Sequence, residues 1–137
     1  MLIKRLWRIH LKKVFVGSAH KQGSTHYAVR QFLDNLQSSG DHRLATCRGC
    51  KVCFGKGGEF CPLKDDRDVL FDKIMASDGV VFASPNYSFQ VSAILKLFLD
   101  ILGFVFHRPR FFGKTFTSIV TQGFFGGGKI VRYYPIP

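Results

Sequence analysis

The chain has 137 residues, 46% of them hydrophobic and 21% charged, which fits one globular domain and excludes intrinsic disorder. Its formal net charge of +11 would attract polyanions. However, the basic residues form no stripe interleaved with aromatic residues, so we expect no nucleic-acid partner.

The first thirteen residues are basic and apolar, and they read as a leader before one domain at residues 14–137. They lack the long apolar stretch and the cleavage site of a signal peptide. The apolar stretch Ala93–Phe106 is too short to cross a bilayer, so we expect no membrane span. Clustered cysteines are typical of a reducing compartment, which predicts a cytoplasmic protein.

Strand and helix patterns alternate along the chain, which indicates an α/β domain with a parallel sheet and helices on both faces. The predicted strands are Val14–Val16, a weaker His42–Thr46, Gly79–Ala83 and Lys114–Thr121. The predicted helices begin at Ser24-Thr25, at Asp65-Asp66 and near Gln90, and the second of them ends at Met75. A glycine-rich loop follows the last strand and runs from Gln122 through Gly128.

The loop at residues 17–25 joins the first predicted strand to the first predicted helix. Backbone N–H groups at a helix start favour a phosphate, and Ser18, Ser24 and Thr25 add hydroxyl donors. His20 and Lys21 add further donors. The glycine spacing matches neither a P-loop nor a dinucleotide fingerprint, so an ordinary strand-to-helix turn stays an alternative.

Four cysteines lie close together in the loop before the second helix, with the spacing C-x2-C-x2-C-x7-C. They are Cys47, Cys50, Cys53 and Cys61, and Pro62 follows the last of them. Thiolates at two-residue gaps resemble the ferredoxin-type ligand run. This favours a 4Fe–4S cluster, with zinc as the alternative metal and free thiols as the third interpretation.

Together these segments resemble the iron–sulfur flavoproteins of the NADPH-dependent FMN reductase-like family. The similar segments are V-G-S-A-H-K-Q-G-S-T, the cysteine motif with Asp65-Asp66 after it, S-D-G-V-V-F-A-S-P-N-Y, and L-K-L-F-L-D. They follow one another in the family's order over about residues 14–128. The resemblance implies a flavodoxin-like three-layer sandwich with FMN at the carboxyl ends of the strands.

The resemblance also implies which residues contact the cofactors. For the FMN phosphate they are Ser18, His20, Ser24 and Thr25; for the two sides of the flavin they are Pro85, Asn86, Tyr87, Thr121, Gln122 and Gly123. Cys47, Cys50, Cys53 and Cys61 would ligate the cluster. The electron donor would be NAD(P)H or a protein such as ferredoxin. No side chain is expected to act as a catalyst, because the chemistry belongs to FMN.

Several positions depart from the family pattern. Ala19 and His20 stand where proline and arginine are usual, and a neutral histidine is a weaker phosphate partner than arginine. Ile101 replaces another usual arginine. Only nine residues follow Gly128, so a fifth strand and a last helix are expected to be missing. An exposed fourth strand would favour a homo-oligomer.

The predicted function is therefore an FMN-dependent NAD(P)H oxidoreductase or electron-transfer iron–sulfur flavoprotein. One alternative is an FMN-dependent NAD(P)H:quinone or flavin reductase whose cysteines bind zinc or nothing. Another is a zinc-bearing, basic nucleic-acid-binding module. That alternative rests on the charge and the cysteines and leaves the order of strands and helices unexplained.

Overall fold

The computed structural model describes residues 13–20, 22–32, 42–124 and 127–132, so the predicted leader lies outside the described residues except for Lys13. The strands there are β1 (Lys13–Val16), β2 (Gly79–Pro85) and β3 (Thr115–Thr121). The α-helices are α1 (Ser24–Phe32), α2 (Val52–Gly55), α3 (Arg67–Met75), α4 (Ala93–Ile101) and α5 (Gly127–Val131). Short 3-10 turns cover Gly58–Phe60 and Gly103–Phe106.

The described strands form a parallel sheet in the order β1-β2-β3. Val14 is opposite Val81 in one pair, and Val81 is opposite Thr117 in the other. All seven residues of the central strand β2 are buried, as a strand between two neighbours and two helical layers requires. The predicted α/β class with a parallel sheet is therefore confirmed.

Side chains of successive strand residues point to opposite faces of the sheet, and both faces are covered. On one face Phe15, Phe82 and Phe98 pack together, with the rings of Phe15 and Phe98 stacked at a centroid distance of 5.3 Å. On the other face Val14 and Val81 pack with the fully buried Val29 of α1. The many phenylalanines thus fill the first of these two layers, beneath α3 and α4.

The prediction of a strand at His42–Thr46 is wrong, because this segment has an irregular backbone. Its N–H groups bond to carboxylates: Arg43 N donates to Asp66 Oδ2 at 2.7 Å, and Ala45 N donates to Asp65 Oδ2 at 2.9 Å. Asp66 N in turn donates to the Arg43 carbonyl at 3.0 Å. The segment is therefore attached to the start of α3 instead of to β1.

Two other predicted boundaries shift. Gln90 belongs to a hairpin turn, and α4 begins after Ser92, whose hydroxyl caps the helix by accepting from Leu95 N at 3.3 Å. The predicted glycine-rich loop ends earlier than expected, because α5 begins at Gly127. Over the part of the chain that the structure describes, every helix is too short or too polar to cross a membrane.

Candidate functional site

A cleft of about 460 Å³ opens where the three described strands end. It is lined by the ten residues predicted to contact FMN, together with Gly23: Ser18, His20, Ser24, Thr25, Pro85, Asn86, Tyr87, Thr121, Gln122 and Gly123. The last residues of β2 and β3, the loops that follow the three strands and the start of α1 supply these residues. Open parallel sheets bind ligands in such a place, at the carboxyl ends of their strands.

The loop from β1 to α1 forms one end of the cleft. Gly17 N donates to the Ala83 carbonyl at 2.7 Å, which prolongs the pairing of β1 with β2. A Cβ on Gly17 would lie 2.5 Å from Leu95 Cβ, so only glycine allows this approach to α4. The first N–H groups of the nine-residue α1 have no partner within the helix and favour an anion there.

Gly23 is the cleft residue that sequence reasoning missed. Its N–H donates to the His20 carbonyl at 3.2 Å, and its carbonyl accepts from Tyr27 N at 3.0 Å. It therefore closes the turn that precedes α1. Lys21, the charged group predicted to contact a phosphate, lies outside the described residues.

Thr25 and Thr121 join two walls of the cleft. Thr25 is only 3% exposed, and its Oγ1 lies 2.6 Å from Thr121 Oγ1. Asn86 N donates to the Thr121 carbonyl at 2.8 Å, so the loop after β2 is also attached to the end of β3. Although the resemblance implied that Thr25 contacts a phosphate, its hydroxyl here links α1 to the end of β3.

A tight hairpin turn presents Tyr87 at the cleft. Tyr87 and Gln90 exchange two backbone hydrogen bonds of 3.0 and 2.9 Å. The two residues between them, Ser88 and Phe89, both have left-handed backbones with φ of 50° and 60°. Such conformations are uncommon for residues with a Cβ and cluster at functional sites. The Tyr87 ring remains 54% exposed, which leaves room for a planar ligand to stack on it.

His26 lies one residue beyond the cleft on α1. Burial lowers the pKa of its imidazole, and the positive charge of Arg30 lowers it further. A hydrogen bond with the Ser18 backbone partly opposes this shift. The neutral imidazole is therefore favoured beside the loop that ends β1.

The four cysteines line a second cavity, of about 210 Å³. Cys47 and Cys50 are exposed, Cys53 and Cys61 are half-buried, and all four are free thiols. Burial raises the pKa of the Cys53 thiol, and the charges of Cys61, Cys47 and Cys50 raise it further. The opposite wall is largely apolar and includes Leu63, Ile101 and Phe104.

The cysteine segment is fastened to the 3-10 turn after α4 and to the residues that follow it. The rings of Phe54 and His107 are 4.0 Å apart, and Arg108 Nε donates to the Phe54 carbonyl at 3.3 Å. Arg108 Nη2 donates to the Gly55 carbonyl. Sequence reasoning missed these anchors, because contacts across more than fifty residues leave no local pattern.

Four thiols around one cavity form the donor set of a thiolate-ligated centre, in number and in chemistry. Within the described ranges, however, no group of three or more His, Cys, Asp or Glu side chains is arranged to hold a metal ion. The cysteines therefore share a cavity without converging on one ligation point. Their metal-binding role stays a prediction, as does the FMN-binding role of the cleft residues.

Known proteins resemble the chain over most of its length. Residues 13–134 match the family model of NADPH-dependent FMN reductase. An iron–sulfur flavoprotein of Archaeoglobus fulgidus is 34% identical over 128 residues, which is 87% of this chain and 57% of the relative. An iron–sulfur flavoprotein of Methanocaldococcus jannaschii is 34% identical over 93 residues, 61% of this chain and 47% of the relative. The chain thus spans about half the length of these curated relatives.

Two solved structures share the fold. RosB, crystallised with bound 8-demethyl-8-formylriboflavin-5'-phosphate, superposes with a TM-score of 0.68 at 13% identity, covering 88% of this chain and 55% of RosB. The Trp repressor binding protein from Bacillus subtilis gives a TM-score of 0.59 at 23% identity, covering 89% of this chain and 74% of that protein. The predicted flavodoxin-like fold is confirmed.

Proposed function

Because the chain belongs to the NADPH-dependent FMN reductase family, we propose that it is an FMN-dependent oxidoreductase whose cysteine segment carries an iron–sulfur cluster. The observation that carries this proposal is the cleft at the strand ends. All ten residues that the family resemblance assigns to FMN line this one cavity. The cleft volume of about 460 Å³ lies within the usual range for cofactor pockets.

The phosphate end of FMN would lie at the start of α1. Ser18 and Ser24 offer hydroxyl donors there, and the helix dipole favours a negative charge. His20 would contribute a ring N–H, a weaker phosphate contact than the arginine usual in the family. Thr25 would act indirectly, because its bond to Thr121 keeps the phosphate end and the ring end of the cleft together.

The ring end would be shaped by the loops after β2 and β3. Pro85, Asn86 and Tyr87 would line one side of the flavin, while Thr121, Gln122 and Gly123 would close the other. Gln122 Oε1 accepts from Gly127 N, which ties the last loop to the start of α5. These groups would orient the ring and limit the access of water to it.

The cysteine segment would hold the cluster through Cys47, Cys50, Cys53 and Cys61. FMN supplies hydride and single-electron chemistry when bound, and a cysteine-ligated cluster supplies single-electron transfer. The apolar wall of the cavity would shield one side of the thiolates from water. NAD(P)H or an electron-donor protein is the proposed source of electrons.

Anaerobic purification with an absorbance spectrum and analysis of iron, zinc and labile sulfide tests the proposal. We expect flavin bands with a broad iron–sulfur shoulder, and about four iron atoms per chain, as a 4Fe–4S centre requires. A Cys53→Ser variant should lose iron and keep FMN, because Cys53 lines the cysteine cavity and not the cleft at the strand ends. A chain with neither flavin nor iron after reconstitution contradicts the proposal.

A reductase without a cluster is the second candidate. It is favoured by the cysteine arrangement, since the thiols do not converge on a metal position in the described residues. Flavin without iron or sulfide in the same assay would select it. The third possibility, a zinc-bearing nucleic-acid-binding module, would require zinc without flavin and a salt-dependent shift of DNA or RNA.

A further inference from the structure

Arg67, at the start of α3, is a buried arginine that the proposed function does not use. It is 3% exposed, whereas charged side chains are rarely buried unless they are paired. Its Nε donates to Asp68 Oδ1 at 2.8 Å, and its Nη2 donates both to that oxygen, in an ion pair, and to the Gly58 carbonyl, the latter at 2.8 Å. The guanidinium carbon lies 5.7 Å from the centre of the Phe104 ring.

These contacts connect Arg67 to the cysteine cavity by two routes. The Gly58 carbonyl also accepts from Cys61 N at 3.0 Å, so one oxygen joins the guanidinium to the backbone of a predicted ligand. Phe104, under the guanidinium, is part of the cavity wall. A Cβ on Gly58 would lie 2.9 Å from this ring, so the turn, the ring and the arginine are closely packed.

The guanidinium stays charged in this position. Burial is the largest single influence and acts against the charged form, but the hydrogen bond and the charge of Asp68, together with more distant negative groups, raise the pKa of Arg67 overall. Negative charge at Cys61 and at Asp65 acts in the same direction. The guanidinium is buried whereas the paired Asp68 carboxylate is 69% exposed, so water screens the negative partner more than the positive one, and a net positive field reaches the cavity.

We propose that Arg67 is a positioning residue for the cysteine cavity. It holds the turn that carries Cys61 and places a positive charge behind the cluster, which raises the reduction potential of the cluster. This inference rests on the proposed function. Net charge and hydrogen bonding near an iron–sulfur cluster set its potential, and a nearby cation favours the more negative reduced form.

The test compares Arg67→Met and Arg67→Lys with Lys64→Met after anaerobic reconstitution with iron and sulfide. Lys64 is exposed and lies midway between Cys61 and Arg67 in sequence, so Lys64→Met removes the same charge from a solvated position. The measurements are iron per chain, the reduction potential of the cluster, and FMN binding as a check on the fold.

We expect Arg67→Met to lose iron and to shift the potential of the remaining cluster to more negative values, while Lys64→Met matches the unaltered chain. Arg67→Lys should keep the reduction potential, since it keeps the charge. It should lose part of the iron, since an ammonium cannot reproduce the contacts that the guanidinium makes with both Asp68 and the Gly58 carbonyl. Equal iron content and equal potential in Arg67→Met and Lys64→Met overturn the proposal.

Two further results are also decisive. If Arg67→Met fails to fold, Arg67→Lys decides, and an unchanged iron content in that variant contradicts the role of Arg67. If the unaltered chain binds FMN but no iron, the proposed iron–sulfur cluster is contradicted while the FMN-dependent function is not. Hydrogen exchange of the Cys61 amide in metal-free protein then tests Arg67. Faster exchange in Arg67→Met than in Lys64→Met supports the turn-holding role, and equal rates contradict it.

Discussion

Backbone geometry around Cys50 depends on two residues in the left-handed region. Gly49 has φ of 63° and Lys51 has φ of 58°, so the chain bends on both sides of this cysteine. A left-handed residue with a Cβ is disfavoured, which explains a glycine at the first position. At the second position Lys51 adopts this conformation despite its Cβ, and α2 begins at the next residue.

Replacing Gly49 with alanine should lower the free energy of unfolding by about 1 kcal/mol. The cost is purely conformational, because nothing lies within 4 Å of the new Cβ. Gly55→Ala is the matched control: it has equal open space, lies in the same segment and has no positive φ, so it should cost nothing. Denaturant unfolding of metal-free protein, followed by circular dichroism, checks both, and equal losses would contradict the account.

Protonation of His26 makes the free energy of unfolding depend on pH, and the direction of its pKa shift gives the sign of that dependence. Its pKa in the folded chain lies below the ordinary value of 6.5, so the unfolded chain binds the proton more tightly. The contribution of His26 to the free energy of unfolding is therefore complete above about pH 6.5 and is lost as the pH falls through the folded pKa. His26→Gln should show a smaller decline over this interval in denaturant unfolding.

NMR titration of the imidazole checks the lowered pKa of His26 independently. Because the charge of Arg30 contributes to it, Arg30→Gln should move the pKa of His26 back toward its ordinary value. A titration that is the same with and without Arg30 would remove this charge from the explanation.

At the scale of elements, local sequence composition predicted β1, β2 and β3 from their apolar runs, and α3 from the acidic pair Asp65-Asp66 at its start. It could not predict the fate of His42–Thr46. That segment's N–H groups bond to the carboxylates of Asp65 and Asp66, about twenty residues away, instead of to a neighbouring strand. No local sequence pattern shows which of these two partners the N–H groups will take. The start of α4 was misplaced because the hairpin at residues 87–90 uses two left-handed residues that are not glycine.

The bond between Thr25 and Thr121 makes a prediction at this scale, because it joins α1 to β3. Thr25→Val removes one hydroxyl and keeps the shape, so it should destabilise the fold by about 1 kcal/mol. The double variant with Thr121→Val should lose less than the sum of the single losses, since no hydroxyl is left without its partner. Additive losses in denaturant unfolding would show that the two hydroxyls do not interact.

At the scale of the whole molecule, the cleft at the strand ends and the cysteine cavity are formed by the same α/β fold over the described residues. The residues of the first could be named from the sequence because the family pattern places them directly after strands, where parallel topology brings them together. Arg67 and Arg108, which support the second cavity, could not be named, since each acts through a backbone carbonyl, and a backbone carbonyl leaves no mark on the pattern of side chains. The expected homo-oligomer stays a prediction, with β3 at the edge of the described sheet.

Binding of FMN to the cleft is the central claim, and titration of metal-free protein followed by flavin fluorescence tests it most directly. Ser24→Asp puts a negative charge where the phosphate would lie, while aspartate suits a helix start and preserves the fold. Lys56→Met changes the net charge by the same amount at an exposed position of the cysteine segment, away from the cleft. We expect FMN to bind the unaltered chain and Lys56→Met alike, and Ser24→Asp about tenfold more weakly or worse. Equal affinity in all three, or no binding to the unaltered chain, would contradict the account.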